Sequence, residues 1–230
     1  MKNTNDTHQK RFKVLPEMEG VTARWYARLR GSAPQLETYR KQAPQLTDGL
    51  PSGADVLEVA PGPGYLAIEM ARLGRFHVTA LDISRSFVEI ASESARQAAV
   101  SVDFRHGDAT SMPFDTESFD VIVCQAAFKN FTRPVSALDE MHRVLRSGGT
   151  AVIQDMSRES SGADIAEEVT RMELGQLNAF ITKRILAGLR HRAFSRAQFE
   201  RLAAESAFRT CAIHAEGINM EVRLTKQGAA

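Results

Sequence analysis

The chain has 230 residues, 29 basic and 28 acidic, for a net charge of +1 with neutral histidines, and 43% of it is hydrophobic. That length fits one generous domain, or a domain with a small cap, and the balanced charge argues against a protein built mainly to grip nucleic acid. Cys124 and Cys211 are too few for a disulfide framework, the first residues are too polar for a signal sequence, and no run approaches the ~18 apolar residues of a membrane span, so a reduced, cytoplasmic setting is expected.

In chain order, residues 1–13 read as a loose polar tail. Met18 to about Ala33 is helical in pattern, with Val21, Trp25 and Leu29 recurring on one face. A second helix spans Gln35 to Leu46, before the breaker Leu50-Pro51-Ser52-Gly53. From there two periods alternate. Val56–Ala60 is a buried strand that runs into Pro61-Gly62-Pro63-Gly64, and Tyr65–Leu73 is a helix closed by Gly74. His77–Leu81 is a second strand, after which Ser86-x-x-Glu89 reads as a capping box opening a helix to about Gln97. Val102–Arg105 and Phe119–Cys124 are the third and fourth strands. The next helix starts at Pro134 and ends at Ser147-Gly148-Gly149, and Ala151–Gln154 is the fifth strand. The rhythm predicts parallel βαβ units in an α/β, Rossmann-like doubly wound sheet of three α/β/α layers.

After the fifth strand the rhythm breaks. Residues 160–193 are helical in pattern, with Gly175 a point of division, and lids grow at such positions. Ser195-x-x-Gln198 is a second capping box. Thr210–Ala215 and Met220–Leu224 form a closing hairpin about Gly217, which makes the sheet mostly parallel with an antiparallel closing strand. The expected domains are an N-terminal helical cap, 1–48, and a sheet domain, 49–230, carrying the lid insertion. Charge follows this division. Residues 1–48 hold nine basic against five acidic residues, 49–170 ten against eighteen, and 171–209 eight against three.

Gly62-Pro63-Gly64-Tyr65-Leu66-Ala67 fits G-x-G-x-x-G/A between a strand and a helix, and Asp82 ends the next strand. Glycines there let backbone approach a ligand, and the acid can accept from both hydroxyls of a ribose. A tight turn with a capping aspartate is the plainer alternative. Pro61 and Pro63 remove two N–H donors that a pyrophosphate would need, and Glu58 would repel it. A cationic ligand without phosphate suits the loop better, and S-adenosylmethionine is one.

Residues 55–155 resemble the class I S-adenosylmethionine-dependent methyltransferases, in particular the ubiquinone/menaquinone-type and related small-molecule enzymes. The resemblance is carried by Val56-Leu57-Glu58-Val59-Ala60-Pro61-Gly62-Pro63-Gly64, by Val78-Thr79-Ala80-Leu81-Asp82-Ile83-Ser84, by Gly107-Asp108-Ala109-Thr110-Ser111-Met112-Pro113-Phe114 with Ser118-Phe119-Asp120-Val121-Ile122, and by Glu140-Met141-His142-Arg143-Val144-Leu145-Arg146-Ser147-Gly148-Gly149. It implies that Glu58 meets the cofactor's ammonium group and that Gly62 and Gly64 let backbone pack on the cofactor. Asp82 would take the ribose hydroxyls, with Ile83 against the adenine. Asp108 would accept from the adenine amino group beside the Ala109 N–H, unless Asp108 only closes an Asx turn. Ala60 departs from the family's glycine, which would displace the first turn. The pair Trp25-Tyr26 resembles the aromatic cover over the cofactor's methionine end, although an ordinary helix stripe explains Trp25 equally well.

The loop Gln125-Ala126-Ala127-Phe128-Lys129-Asn130-Phe131 leaves the carboxyl end of the fourth strand, where ligands bind in such sheets. Gln125 is placed to touch the cofactor, Phe128 and Phe131 to form an apolar wall, and Lys129, Asn130 and Asp155 to meet an acceptor. The expected chemistry is in-line methyl transfer to a small-molecule O, N, S or C nucleophile, leaving S-adenosylhomocysteine. Asp155 or neutral Lys129 would take a proton if the acceptor is a hydroxyl. Basic residues of the lid, Arg184 and Arg190, would attract an acidic or phenolic acceptor. No metal ligand set is read among the histidines, and a monomer or homodimer is expected. An NAD-dependent oxidoreductase and a non-catalytic cofactor sensor remain as alternatives.

Overall fold

The strand Ala54–Val59 (β1) sits near the middle of a seven-stranded sheet, its four apolar side chains Ala54, Val56, Leu57 and Val59 all buried. In this computed structural model, which describes residues 18–172 and 175–228, the tail expected over 1–13 lies outside the described residues. The other strands are Phe76–Asp82 (β2), Asp103–His106 (β3), Phe119–Gln125 (β4), Leu145–Met156 (β5), Ala212–Glu216 (β6) and Asn219–Thr225 (β7). Their spatial order is β3-β2-β1-β4-β5-β7-β6. β1 to β5 run parallel, and β7 inserts antiparallel between β5 and β6.

Helices Gly20–Arg30 (α1) and Ala33–Leu46 (α2) precede the sheet. Tyr65–Arg72 (α3), Arg85–Gln97 (α4) and Pro134–Val144 (α5) connect its parallel strands, and Gly162–Arg171 (α6), Gln176–Arg190 (α7) and Arg196–Glu205 (α8) follow β5. Alternation along the strands divides the core. Leu57, Ile122, Cys124 and Ile153 pack with Leu138 and Met141 of α5 and Phe199 of α8. Val56, Val121, Val123 and Val152 pack on the opposite side with Tyr39 and Ala43 of α2 and Leu66 and Met70 of α3. Three layers result, as the alternation of strands and helices predicts.

Four local expectations are corrected. The cap of α4 is Ser84, whose hydroxyl accepts the Phe87 N–H at 3.0 Å, rather than Ser86. The Ser86 hydroxyl accepts the Gly20 N–H of α1 at 2.8 Å instead. α5 ends at Val144, not at Ser147–Gly149, because Leu145 is drawn into the core and already pairs with Phe119. Gly149 belongs to β5, and a Cβ there would lie 2.8 Å from the Asp120 carbonyl oxygen. The Val21-Trp25-Leu29 stripe faces out: α1 buries Ala23 and Ala27, whose small side chains allow close approach to Tyr65, and the Tyr65 hydroxyl donates to the Ala27 carbonyl at 3.0 Å. α7 likewise buries none of its side chains fully, although the expected division at Gly175 is where it starts.

The box at Ser195–Gln198 forms with both of its hydrogen bonds, and Ser161–Asp164 makes another at the start of α6. Gly217 turns the β6–β7 hairpin with φ at +54°. Both cysteines are free thiols, and burial pushes both up.

Candidate active site

The carboxyl ends of β1, β2 and β3 meet at the glycine loop. Gly62 and Gly64 have φ of +56° and +79°, a region where side chains are strained. A Cβ on Gly64 would also stand 2.7 Å from Ala91 and Phe104, so no other residue fits there. On Gly62 it would meet only the edge of Tyr26, at 3.9 Å. Ala60 takes φ of +57° while its N–H donates to the Leu81 carbonyl at 2.8 Å. The departure from glycine is therefore carried as backbone strain, on the order of 1–2 kcal/mol.

Two carboxylates lie beneath this loop. Asp82 is buried, and its oxygens accept the Gly62 N–H at 2.9 Å and the Ser84 N–H at 2.8 Å. Burial pushes it up to about 6, against the pull of those two donors. Glu58 is only 3% exposed, and its Oε2 finds no hydrogen-bond partner among the described residues. Burial, with Asp82 adding to it, raises Glu58 to about 8, while the Ala67 N–H acts the other way. An orphaned acidic oxygen beside an open glycine loop fits a ligand that brings a cation, and the two prolines withhold donors from a diphosphate. These residues fit S-adenosylmethionine.

The raised Glu58 has a measurable consequence. The folded chain holds a proton here at pH values where the unfolded chain has released it, so this contribution is fullest below about 4.5 and is lost as pH climbs to about 8. Asp82 adds to the loss in the lower part of that window, up to about 6. Glu58→Gln is expected to remove a stability slope approaching about 1.4 kcal/mol per pH unit. Urea melts of both proteins between about pH 5 and pH 8 check this; parallel stability curves would contradict it.

α1 closes over the loop. Tyr26 meets Phe87 edge-on at 5.9 Å, whereas Trp25 points away from the site and is 61% exposed. Glu19, which sequence reasoning missed, accepts the N–H groups of Arg85 at 2.9 Å and Ser86 at 3.0 Å at the start of α4. Hydrogen bonds from Ser86 hold its carboxyl below the usual range. The Ser84 hydroxyl donates to the Met18 carbonyl at 2.7 Å. Nothing in the sequence couples Glu19 to a helix 66 residues away.

Asp108 follows β3. Its Oδ1 closes an Asx turn on the Thr110 N–H at 2.8 Å, while Oδ2 faces Arg133 at 3.3 Å. Burial would raise it, but Thr110 and Arg133 together hold it low. Ala109 is half-buried against the core, and Ile83 projects at the rim with its carbonyl 3.1 Å from the His106 ring. Gln125 donates to Gln42 at 2.9 Å and Gln154 at 3.1 Å, which ties α2 to the ends of β4 and β5.

The substrate loop differs most from expectation. Lys129 and Asp155 are both buried and face each other at 2.7 Å, with Asp155 also accepting the N–H groups of Lys129 and Met156. The pair ties the loop to the end of β5. Phe128 is fully buried against Phe131, Phe194 and Phe199 rather than forming a wall, and Phe131 is half-buried beside it. Asn130 accepts from Arg192 at 2.9 Å, and Arg190 donates to the Ser160 carbonyl at 3.0 Å, a structural use that differs from attracting an acceptor.

This strand order, with a glycine loop after β1 and acids ending β1 and β2, defines the class I S-adenosylmethionine-dependent methyltransferase fold. Residues 57–153 match the family described as a methyltransferase domain. The chain is 37% identical over 108 residues to a demethylmenaquinone methyltransferase of Clavibacter sepedonicus, a match covering 46% of this chain and 42% of that protein. It is 36% identical over 110 residues to the ubiquinone/menaquinone biosynthesis C-methyltransferase UbiE of Roseobacter denitrificans, covering 46% of this chain and 44% of the relative. The chain thus spans less than half the length of these two curated relatives. A structure of a putative S-adenosyl-L-methionine-dependent methyltransferase from Methanococcus maripaludis superposes with a TM-score of 0.70 at 20% identity, covering 94% of this chain and 97% of that one. The sheet has the class I methyltransferase fold, and residues 57–153 within it are similar to the methyltransferase-domain family.

Proposed function

We propose that this protein is an S-adenosylmethionine-dependent methyltransferase acting on a small apolar acceptor of the quinone-precursor class. The observation that carries the reading is the buried Glu58 with its unpartnered oxygen beside Asp82 and the Gly62 loop. When bound, S-adenosylmethionine supplies an electrophilic methyl group on a positively charged sulfur. Glu58 receives the ammonium charge, Asp82 holds the ribose, and Ile83 with Asp108 and Ala109 brackets the adenine. Tyr26 and α1 exclude water from the reacting end, where alignment and desolvation provide most of the acceleration. Helices α1 and α2 on one side and the lid helices α6 and α7 on the other wall the acceptor side. The quinone-precursor class is supported by the names of the two matched relatives, whose likeness covers less than half of this chain.

S-adenosylhomocysteine at 100 times its Kd is expected to stabilise the chain by about 2.7 kcal/mol in a thermal-shift measurement. NAD is expected to leave the melting temperature unchanged. Stabilisation by NAD alone would replace this reading with a dehydrogenase. Radiolabelled methyl transfer to a quinol, with none to amines or thiols, checks the acceptor class, and cofactor binding with no transfer to any of them would mark a sensor.

A further inference from the structure

Two helix faces at the carboxyl edge of the sheet are apolar, exposed and cationic at once. α1 presents Val21, Trp25 and Leu29 with Arg24 and Arg28 on the same side of the helix. α7 presents Leu177, Phe180, Ile181 and Ile185, with Lys183 and Arg184 exposed among them. Both helices hang on the same edge. α1 is tied to Ser84 and Ser86 just after β2, and the chain leaving α7 returns through Phe194 to Ser157 and Arg158 at the end of β5.

The charges say what such faces fit. Neither helix contains an acidic residue, while each carries three basic ones. Packing α1 against α7, or either face against its copy in a second chain, would bring like charges together with no acid to pair them. On the neighbouring α6, Glu167 and Glu168 both pair with Arg171, at 3.3 and 2.9 Å. Apolar and aromatic side chains beside arginine and lysine on a short helix suit the headgroup region of an anionic bilayer, where tryptophan also partitions. Among the described residues no helix is long and apolar enough to cross a membrane. We propose that α1 and α7 together seat this protein on an anionic lipid surface, with the carboxyl edge of the sheet turned toward the lipid.

Trp25 is the only tryptophan in the chain, so its emission reports directly on α1. Full-length protein is mixed with phosphatidylcholine vesicles, with or without phosphatidylglycerol, and followed by co-sedimentation and Trp25 fluorescence. The expected result is binding with a blue shift on the anionic vesicles only, weakened by high salt. The quadruple change Arg24→Glu, Arg28→Glu, Lys183→Glu and Arg184→Glu is expected to cut partitioning at least about 100-fold. Phe180→Ser with Ile181→Ser, a pair that leaves every charge in place, is expected to weaken binding as well. Circular dichroism checks that both variants are folded. Absence of binding would overturn the proposal, and so would sedimentation without a Trp25 shift, or a concentration-dependent blue shift without vesicles, which would mean self-association. The readout needs neither cofactor nor methyl transfer, so its failure is separate from that of the proposed activity.

Discussion

Asp82→Ala is expected to weaken binding of S-adenosylhomocysteine by at least about 100-fold, because a hydrogen bond to a charged acceptor contributes about 1.5–3 kcal/mol and a ribose offers two. The substitution acts twice. Asp82 also accepts the Gly62 and Ser84 N–H groups, so alanine leaves loop donors unpaired and loosens the turn itself. Asp82→Asn separates the two effects: its amide keeps one acceptor for the loop while losing the charge. Calorimetric titration of both variants should rank them wild type, asparagine, alanine in decreasing affinity. Circular dichroism should find the sheet intact in both, since Asp82 touches the end of β2 and not its core. Binding within about threefold of wild type in Asp82→Ala would remove the ribose role, a difference smaller than one ordinary hydrogen bond provides.

The second large effect concerns stability. Asp155→Ala is expected to cost about 3–5 kcal/mol, as removal of one partner from a buried ion pair leaves the other charge uncompensated. Lys129→Met should cost less, because Asp155 retains the N–H groups of Lys129 and Met156 as donors. Joining Lys129→Met with Asp155→Leu should recover much of the loss, and a double-mutant cycle from denaturant melts measures the coupling. The same variants bear on mechanism. If Lys129→Met keeps kcat for methyl transfer, the residue only anchors the loop. A loss of kcat with stability and cofactor affinity unchanged would return Lys129 to the chemistry.

Much of the sheet could be read from residue order because its information is local. The runs Val56–Val59 and Phe119–Cys124 are apolar enough to be buried on both faces, and loops rich in glycine and proline mark where they stop. The box at Ser195–Gln198 spans four residues and forms as expected, whereas the box expected at Ser86–Glu89 does not form and Ser84 caps α4. Ser84 won because Ser86 is taken by the backbone of α1, a contact between segments far apart in sequence. Periodicity misled in α1 for a related reason. It identified an apolar stripe, but packing selected the alanine face, because only small side chains let this helix approach Tyr65.

By itself the sequence determined the strand rhythm, the glycine loop, the acids that end its first two strands and hence the kind of cofactor half this chain carries. Each is a short-range pattern whose chemistry follows from a few neighbouring residues. Only the tertiary structure decided that Lys129 and Asp155 neutralise each other, that Glu58 keeps an unpartnered oxygen, and that Trp25 faces outward while Tyr26 covers Gly62. Those outcomes depend on which groups meet across tens of residues and on how far each is withdrawn from water. Burial and partnership are properties of the assembled fold, and they leave a carboxylate oxygen unpartnered at Glu58 while fixing the carboxylate of Asp155 on Lys129.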